Sequence, residues 1–236
     1  MKILSVDSSS VSASVAITEN GVTLAENFIN NGLTHSQTLA PMVEKTLLDA
    51  SVSIKDIDLF SITIGPGSFT GVRIGIALVK GMADALNKKC VAISTLEAIA
   101  EPLLNEDCIA CAVMDARCNQ VYTALFQNGK RLCEDKAVAI DDLGKELQKY
   151  TKPIIFIGDG AKICYEKLSE SLPNCEIANE AIRFVHASSI GRLAKAKVEN
   201  EEELIMPENL VPLYLRLPQA ERELNNKNSL KKENIK

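Results

Sequence analysis

The sequence predicts an α/β chain built twice over, two consecutive lobes of mixed sheet and helix. Three observations predict it. An apolar strand ending in aspartate occurs twice, at Lys2 to Asp7 and at Cys108 to Asp115. Thirteen residues after each aspartate stands an Asn-Gly pair, Asn20-Gly21 and Asn128-Gly129, the strongest short signal for a hairpin. In each half a later strand then breaks at a Gly-x-Gly turn with a helix behind it, at Gly65-Pro66-Gly67 and at Gly158-Asp159-Gly160. Shared order and shared spacing indicate an internal duplication. The first lobe is predicted over 1–104 and the second over 105–218, with a tail at 219–236.

The elements follow from local pattern. Lys2 to Asp7 reads as a buried strand, and Ser8-Ser9-Ser10 as a turn. Val11, Ala13, Val15 and Ile17 alternate with Ser12, Ser14 and Thr18, which predicts a half-buried strand, and Val22 to Phe28 returns from the hairpin. Thr34 with Gln37 fits a capping box, and Leu39, Met42, Val43, Thr46, Leu47 and Ala50 line one face of the helix behind it. Leu59 to Ile64 is a strand. Behind the glycine turn Val72, Ile76, Val79, Ala83 and Leu86 form one apolar stripe, and Ile74, Leu78, Met82 and Ala85 a second. Gly71, Gly75 and Gly81 each cost about 1 kcal/mol of helix propensity, which suggests close backbone approach. A helix with two apolar faces needs two neighbours, a sheet and another lobe or chain. Cys90 to Ile93 is a short strand, and Thr95 caps a helix that stops near Pro102.

The second lobe repeats this order. Cys108 to Met114 and Val121 to Phe126 are strands, and Leu132 to Ile140 is predicted as the returning one. A helix runs from Asp141-Asp142 to about Tyr150, and Ile154 to Ile157 is a strand. Ala187 to Val198 is a last helix, and Val211 to Pro218 an extended, proline-punctuated segment. From Gln219 onward the chain is rich in Asn, Lys and Glu and is expected to be disordered.

Composition narrows the function classes. The 236 residues are 46% hydrophobic and 24% charged, ordinary for a globular protein. A net charge of -5 argues against independent, nonspecific nucleic-acid binding. Met1-Lys2 leads straight into a strand with no signal-peptide pattern, and no apolar run approaches membrane-spanning length, so a cytoplasmic protein without a membrane role is expected. The seven cysteines suit reduced core thiols. Cys108 and Cys111 form one C-x-x-C, but it sits in an apparent strand, where the two side chains point to opposite faces.

Candidate chemistry is sparse. Asp7 and Asp115 either order a hydrated magnesium ion or only end strands and accept turn amides. Gly65-Pro66-Gly67-Ser68 stands at a helix N-terminus, which is either an anion site or a tight turn capped by Ser68 or Thr70. It lacks the Lys-Ser/Thr of a P-loop. His35 and His186 show no metal spacing, and there is no G-x-S-x-G.

A duplicated unit of this order is similar to the sugar kinase, Hsp70 and actin superfamily, whose ribonuclease-H-like lobes hold ATP between them. There Gly158 and Gly160 would occupy the adenosine-contacting turn. The run Gly65-Pro-Gly-Ser-Phe-Thr-Gly-Val-Arg-Ile-Gly75 resembles, more narrowly, the bacterial TsaB (YeaZ) family. His35-Ser-Gln-Thr-Leu-Ala-Pro41, Ser94-Thr-Leu96, Asp115-Ala-Arg117 and Pro212-Leu-Tyr-Leu-Arg216 agree with it. The resemblance implies a noncatalytic subunit of the machinery that makes N6-threonylcarbamoyladenosine on tRNA. It implies pairing with the catalytic paralogue TsaD, a ternary complex with the ATPase TsaE, a homodimer when alone, and tRNA contact mainly through the complex. The partner face is expected at Leu39, Val43, Gly71, Arg73, Gly75, Ile76 and Val79. No cofactor is required by such a subunit. If ATP or ADP with magnesium binds, the candidate residues are Asp7, Gly65, Gly67, Ser68, Asp115, Gly158 and Gly160. The alternatives are a small-molecule kinase or ATPase using Asp7 and Asp115, and a protease acting on a partner.

Overall fold

The computed structural model describes residues 1–202 and 204–216. The first sheet is formed by β1 (Lys2–Asp7), β2 (Ala13–Glu19), β3 (Val22–Ile29), β4 (Leu59–Thr63) and β5 (Cys90–Ile93), in the order β3-β2-β1-β4-β5. The hairpins are antiparallel, and β4 and β5 join in parallel. The helices of this half are α1 (His35–Ala50), α2 (Phe69–Ala85) and α3 (Thr95–Ala100).

The second half repeats the plan. It contains β6 (Ile109–Asp115), β7 (Gln120–Gln127), β8 (Lys130–Arg131), β9 (Lys136–Ala139), α4 (Ile140–Leu147), β10 (Ile154–Ile157), α5 (Ala161–Leu168) and β11 (Cys175–Ile177). Its sheet runs β11-β10-β6-β7, with β8 and β9 both on the free side of β7. That is the strand order of the first sheet with the third strand broken in two. Asn20 and Asn128 both take positive φ, with Gly21 and Gly129 behind them, as the predicted hairpin turns require.

The chain stacks as five layers. Helices α1 and α2 cover the outer face of the first sheet through Leu39, Val43, Val72, Ile76 and Val79. Helices α4 and α5 cover the outer face of the second through Leu143, Leu147, Ala161 and Cys164. Between the sheets lie α3 and α7 (Ala187–Glu199), in one cluster that joins Ile3 and Ile93 to Ala112, Met114 and Phe126. Strand pleating decides the sides: along β6, Ile109, Cys111 and Val113 face outward to α4 and α5, and Ala110, Ala112 and Met114 face inward. Cys108 and Cys111 accordingly belong to different clusters, and both are free thiols.

Several local expectations are corrected. Thr34 precedes α1 but makes no side-chain cap bond, so the capping box with Gln37 is not formed; Gln37 donates its amide to the Thr34 carbonyl. Ser94 caps α3, accepting from the Glu97 amide, and Thr95 is the first helical residue. Of the strand expected from Leu132 to Ile140 only β9 forms, with residues 132–135 irregular, β8 ahead of them, and Ile140 opening α4. Strand β11 and the short helix α6 (Glu180–Arg183) were not expected.

The cut at 104/105 separates the sheets in sequence, but the end of the chain crosses back. Helix α7 lies on β1 and β2. Ile205 pairs with Cys90 at the edge of β5, and the Lys80 ammonium of α2 donates to the carbonyls of Glu208 and Leu210. The Leu213 amide then donates to the Ile64 carbonyl. Helix α7 and residues 204–214 thus complete the first lobe. Residues 217–236, including the expected disordered tail, lie outside the described residues.

Candidate functional site

Both Asp-ended strands and both Gly-x-Gly turns meet at one cleft between the lobes. It has a volume of about 310 Å³, with Ser9, Gly67, Ser68 and Phe69 on one wall and Asp115, Arg117, Tyr122 and Asp159 on the other. Of the residues expected to bind a cofactor, Gly67, Ser68 and Asp115 line it. Asp7, Gly65, Gly158 and Gly160 do not, being buried behind the walls.

Each behaves as a structural residue. Asp7 is fully buried, and its Oδ1 accepts from the Ser9 amide at 3.2 Å, the Ser9 hydroxyl at 2.7 Å and the Thr63 hydroxyl at 2.5 Å. Burial raises its pKa against those hydrogen bonds, and its Oδ2 has no partner. Asp115 is exposed and accepts from the Arg117 amide at 2.7 Å, closing an Asx turn. Ser68 caps α2 by accepting from the Gly71 amide at 3.2 Å.

The glycine turns admit this chain's own backbone. Gly67 has φ 156°, and a Cβ there would lie 2.2 Å from the Ser9 carbonyl oxygen. Gly158 has φ 114°, and its Cβ would lie 2.1 Å from the Val113 carbonyl oxygen. The amides of Ser68 and Gly160 donate to those same two carbonyls. A phosphate cradle needs amides turned toward the ligand; these two are spent inside the fold. The cleft carries charges of both signs, with Arg117 beside Asp115 and Asp159. Asp159 accepts from the Asp115 amide at 3.1 Å, and burial, with the charges of Asp115 and Asp7, pushes its pKa up to about 6. The two Gly-x-Gly turns therefore do not form a phosphate cradle within this chain. Among the described residues no group of three or more His, Cys, Asp or Glu side chains is placed to hold a metal ion.

The residues expected to face a partner need a sharper correction. Leu39, Val43, Gly71, Gly75, Ile76 and Val79 are buried in this chain. The four with side chains pack on the first sheet, and the two glycines face Ser8 of the β1–β2 turn. Only Arg73 is exposed; its Nε donates to the Tyr214 hydroxyl at 2.5 Å, and Tyr214 stacks on Phe69. The first apolar stripe of α2, apart from Leu86 at its end, is thus the core stripe. The second touches the core by its edge and is left partly open. Ala77, Leu78, Gly81, Met82, Ala85 and Leu86, with Ile54 beside them, line a shallow apolar hollow of about 440 Å³. Both stripes were readable from the spacing; which one faced the sheet was not.

Two lobes of this order facing one cleft define the actin, Hsp70 and sugar-kinase superfamily. The sequence matches, over residues 29–224, the family described as TsaD: tRNA N6-adenosine threonylcarbamoyltransferase. The tRNA threonylcarbamoyladenosine biosynthesis protein TsaB of Bacillus subtilis is 30% identical over 226 residues, covering 94% of this chain and 96% of the relative. Its Escherichia coli namesake is 35% identical over 129 residues, 54% of this chain and 55% of that one. Among solved structures, a Pseudomonas aeruginosa protein described as similar to the peptidase YEAZ superposes with a TM-score of 0.73 at 25% identity, over 91% of this chain and 99% of that one. The chain belongs to the TsaB (YeaZ) family.

Proposed function

We propose that the chain acts in the biosynthesis of threonylcarbamoyladenosine on tRNA as a noncatalytic subunit, and that it pairs through the open face of α2 with a TsaD-type catalytic subunit. The observation that carries this reading is the second stripe of α2. A surface helix ordinarily keeps one apolar face for the core. Here Leu78 and Met82 stand half-buried around an apolar hollow that no other part of the described chain covers. Contiguous apolar surface of this kind is a mark of interaction sites. The family names of the relatives supply the process, and the match to the TsaD family supplies the kind of partner, a chain of related fold.

The noncatalytic part rests on the cleft. Asp7 is sealed from solvent, and the turn amides are occupied by carbonyls of the chain itself. A TsaE-type ATPase joining the pair, and a homodimer through the same face when the partner is missing, extend the reading. With net charge -5, tRNA is reached mainly through the complex. No observation favours a protease. Neither histidine hydrogen-bonds a serine, threonine or cysteine side chain among the described residues, His35 facing the Ser10 carbonyl and His186 the Ala181 carbonyl.

The test is pairing. Leu78→Asp and Met82→Asp place a charge on the open face, at half-buried positions on the margin of the core. Both variants should fold and fail to comigrate with TsaD in size-exclusion chromatography. Native comigration of both would remove α2 as the partner face.

A further inference from the structure

The chain passes from β11 in the second sheet to α7 on the first through residues 178–186, and this crossover is fastened to the edge strand β3 at one cluster. Glu26 of β3 accepts from the Ser188 amide at 3.0 Å and the Ser188 hydroxyl at 2.9 Å, in the first turn of α7. His186 lies flat on Phe28 of β3, with ring centroids 5.1 Å apart and planes 18° from parallel. Both of its ring nitrogens face acceptors. Nε2 lies 3.1 Å from the Ala181 carbonyl oxygen, and Nδ1 lies 3.4 Å from Glu26 Oε2.

That geometry has a protonation state written into it. A neutral imidazole carries one N–H and one lone pair. With the proton on Nε2 for the Ala181 carbonyl, a lone pair on Nδ1 would point at a carboxylate. Only the imidazolium donates toward both oxygens. The other charged groups around it do not reverse this. Arg192 of α7 opposes the positive charge, but its guanidinium is held by Glu101 in a two-point pair, both contacts 2.6 Å, and Arg183 of α6 donates to the Ala178 carbonyl. The hydrogen bond and charge of Glu26 raise the pKa of His186.

We propose that the crossover between the lobes is held to the first sheet by a proton-dependent clasp, in which charged His186 bridges Glu26 of β3 and the Ala181 carbonyl of α6. The inference is independent of the proposed pairing, since the clasp lies on β3 and α6. The sign follows from the raised pKa. While Glu26 is ionised, the clasp is complete below the ordinary histidine pKa of about 6.5, and it is lost as pH rises through the higher value in the folded chain. Loss of the proton loosens residues 181–188, the link that sets α7 on the first sheet.

The chain has two histidines, so the ring Cε1 protons assign themselves once one is replaced. In a proton NMR titration with His35→Gln as the assignment variant, His186 should titrate above the ordinary value, and Glu26→Gln should bring it down to that value or below. Amide exchange at 181–188, corrected for the intrinsic base dependence, should lose protection between pH 6 and 8 in the wild type and show no such change in His186→Gln. If Glu26→Gln fails to fold, the exchange comparison with His186→Gln decides alone. A His186 that titrates at or below the ordinary value, or protection at 181–188 that does not change with pH in the wild type, overturns the clasp.

Discussion

The three glycines of α2 separate the core side of the helix from its open side, and alanine at each should show which is which. Helix propensity alone favours every replacement by about 1 kcal/mol. At Gly81 nothing lies within 4 Å of the added Cβ, so the gain should appear undiminished. Gly75→Ala meets the Ser8 Oγ at 2.3 Å and the Ile62 Cδ1 at 3.0 Å. The Ser8 hydroxyl can rotate away, but it then gives up its 2.9 Å bond to the Gly71 carbonyl, which costs about 1 kcal/mol, and crowding a packed core adds about 1–3 kcal/mol. The net is a loss of about 1–3 kcal/mol. Gly71→Ala is worse, because its Cβ falls 2.1 Å from the Ser8 carbonyl oxygen, and backbone cannot rotate aside. Its cost should reach about 3 kcal/mol or more. Urea unfolding of the three variants gives these differences directly, and melting temperatures should move by about 2–4 °C per kcal/mol. The expected order is Gly81→Ala above wild type, then Gly75→Ala, then Gly71→Ala. Equal stability of Gly71→Ala and Gly81→Ala would refute the assignment of faces. Gly75→Leu, which would only crowd a partner if Gly75 lay on an interface, should destabilise the isolated chain.

Three further predictions follow from single contacts. Ser94→Ala removes the cap of α3 together with a 2.6 Å bond to Asp135 of the second lobe, and should cost about 1–2 kcal/mol in denaturant titration. Asp159→Asn should raise stability at pH 7, because a carboxyl whose pKa rises from 3.8 to about 6 on folding favours the folded chain fully only below 3.8. That advantage should shrink as pH falls through about 6 and vanish below 3.8, as read from melting curves across the range. Leu78→Asp and Met82→Asp, at half-buried positions packed on the edge of the core, should each cost the isolated chain about 1–2 kcal/mol in urea and leave it folded, while abolishing the complex.

The architecture was legible because it is written in patterns the backbone enforces. Asn-Gly at 20 and 128 and the aspartates that end β1 and β6 fixed both hairpins and their equivalence. What was not legible depends on neighbours distant in sequence. Period 3.6 placed Ile76 and Leu78 on different faces of α2, but only the position of the first sheet says that Ile76 is core. The helical glycines predict close approach, which holds for Gly71 and Gly75, where the approaching group is Ser8 of the same chain, and fails at Gly81, where nothing lies within 4 Å. The Gly-x-Gly turns have the composition of phosphate loops, yet the contacts of Gly67 with Ser9 and Gly158 with Val113 turn them inward. Asp159 and Arg117, which join Asp115 as the charged groups of the cleft, are legible as the polar residues inside a Gly-x-Gly turn and behind Asp115. Strand β11 has only three residues, Cys175–Ile177, too few to show an alternation.

The central claim is that this chain is required without being the catalyst. The most direct measurement is a reconstitution with tRNA, threonylcarbamoyl-adenylate, TsaD and TsaE, scored for modified adenosine, with wild-type chain, with Leu78→Asp, with Asp7→Asn, or with none. The account predicts modification with wild type, loss with Leu78→Asp and in its absence, and retention with a folded Asp7→Asn. Modification that proceeds without the chain, or that disappears in a folded, partner-binding Asp7→Asn, would contradict it.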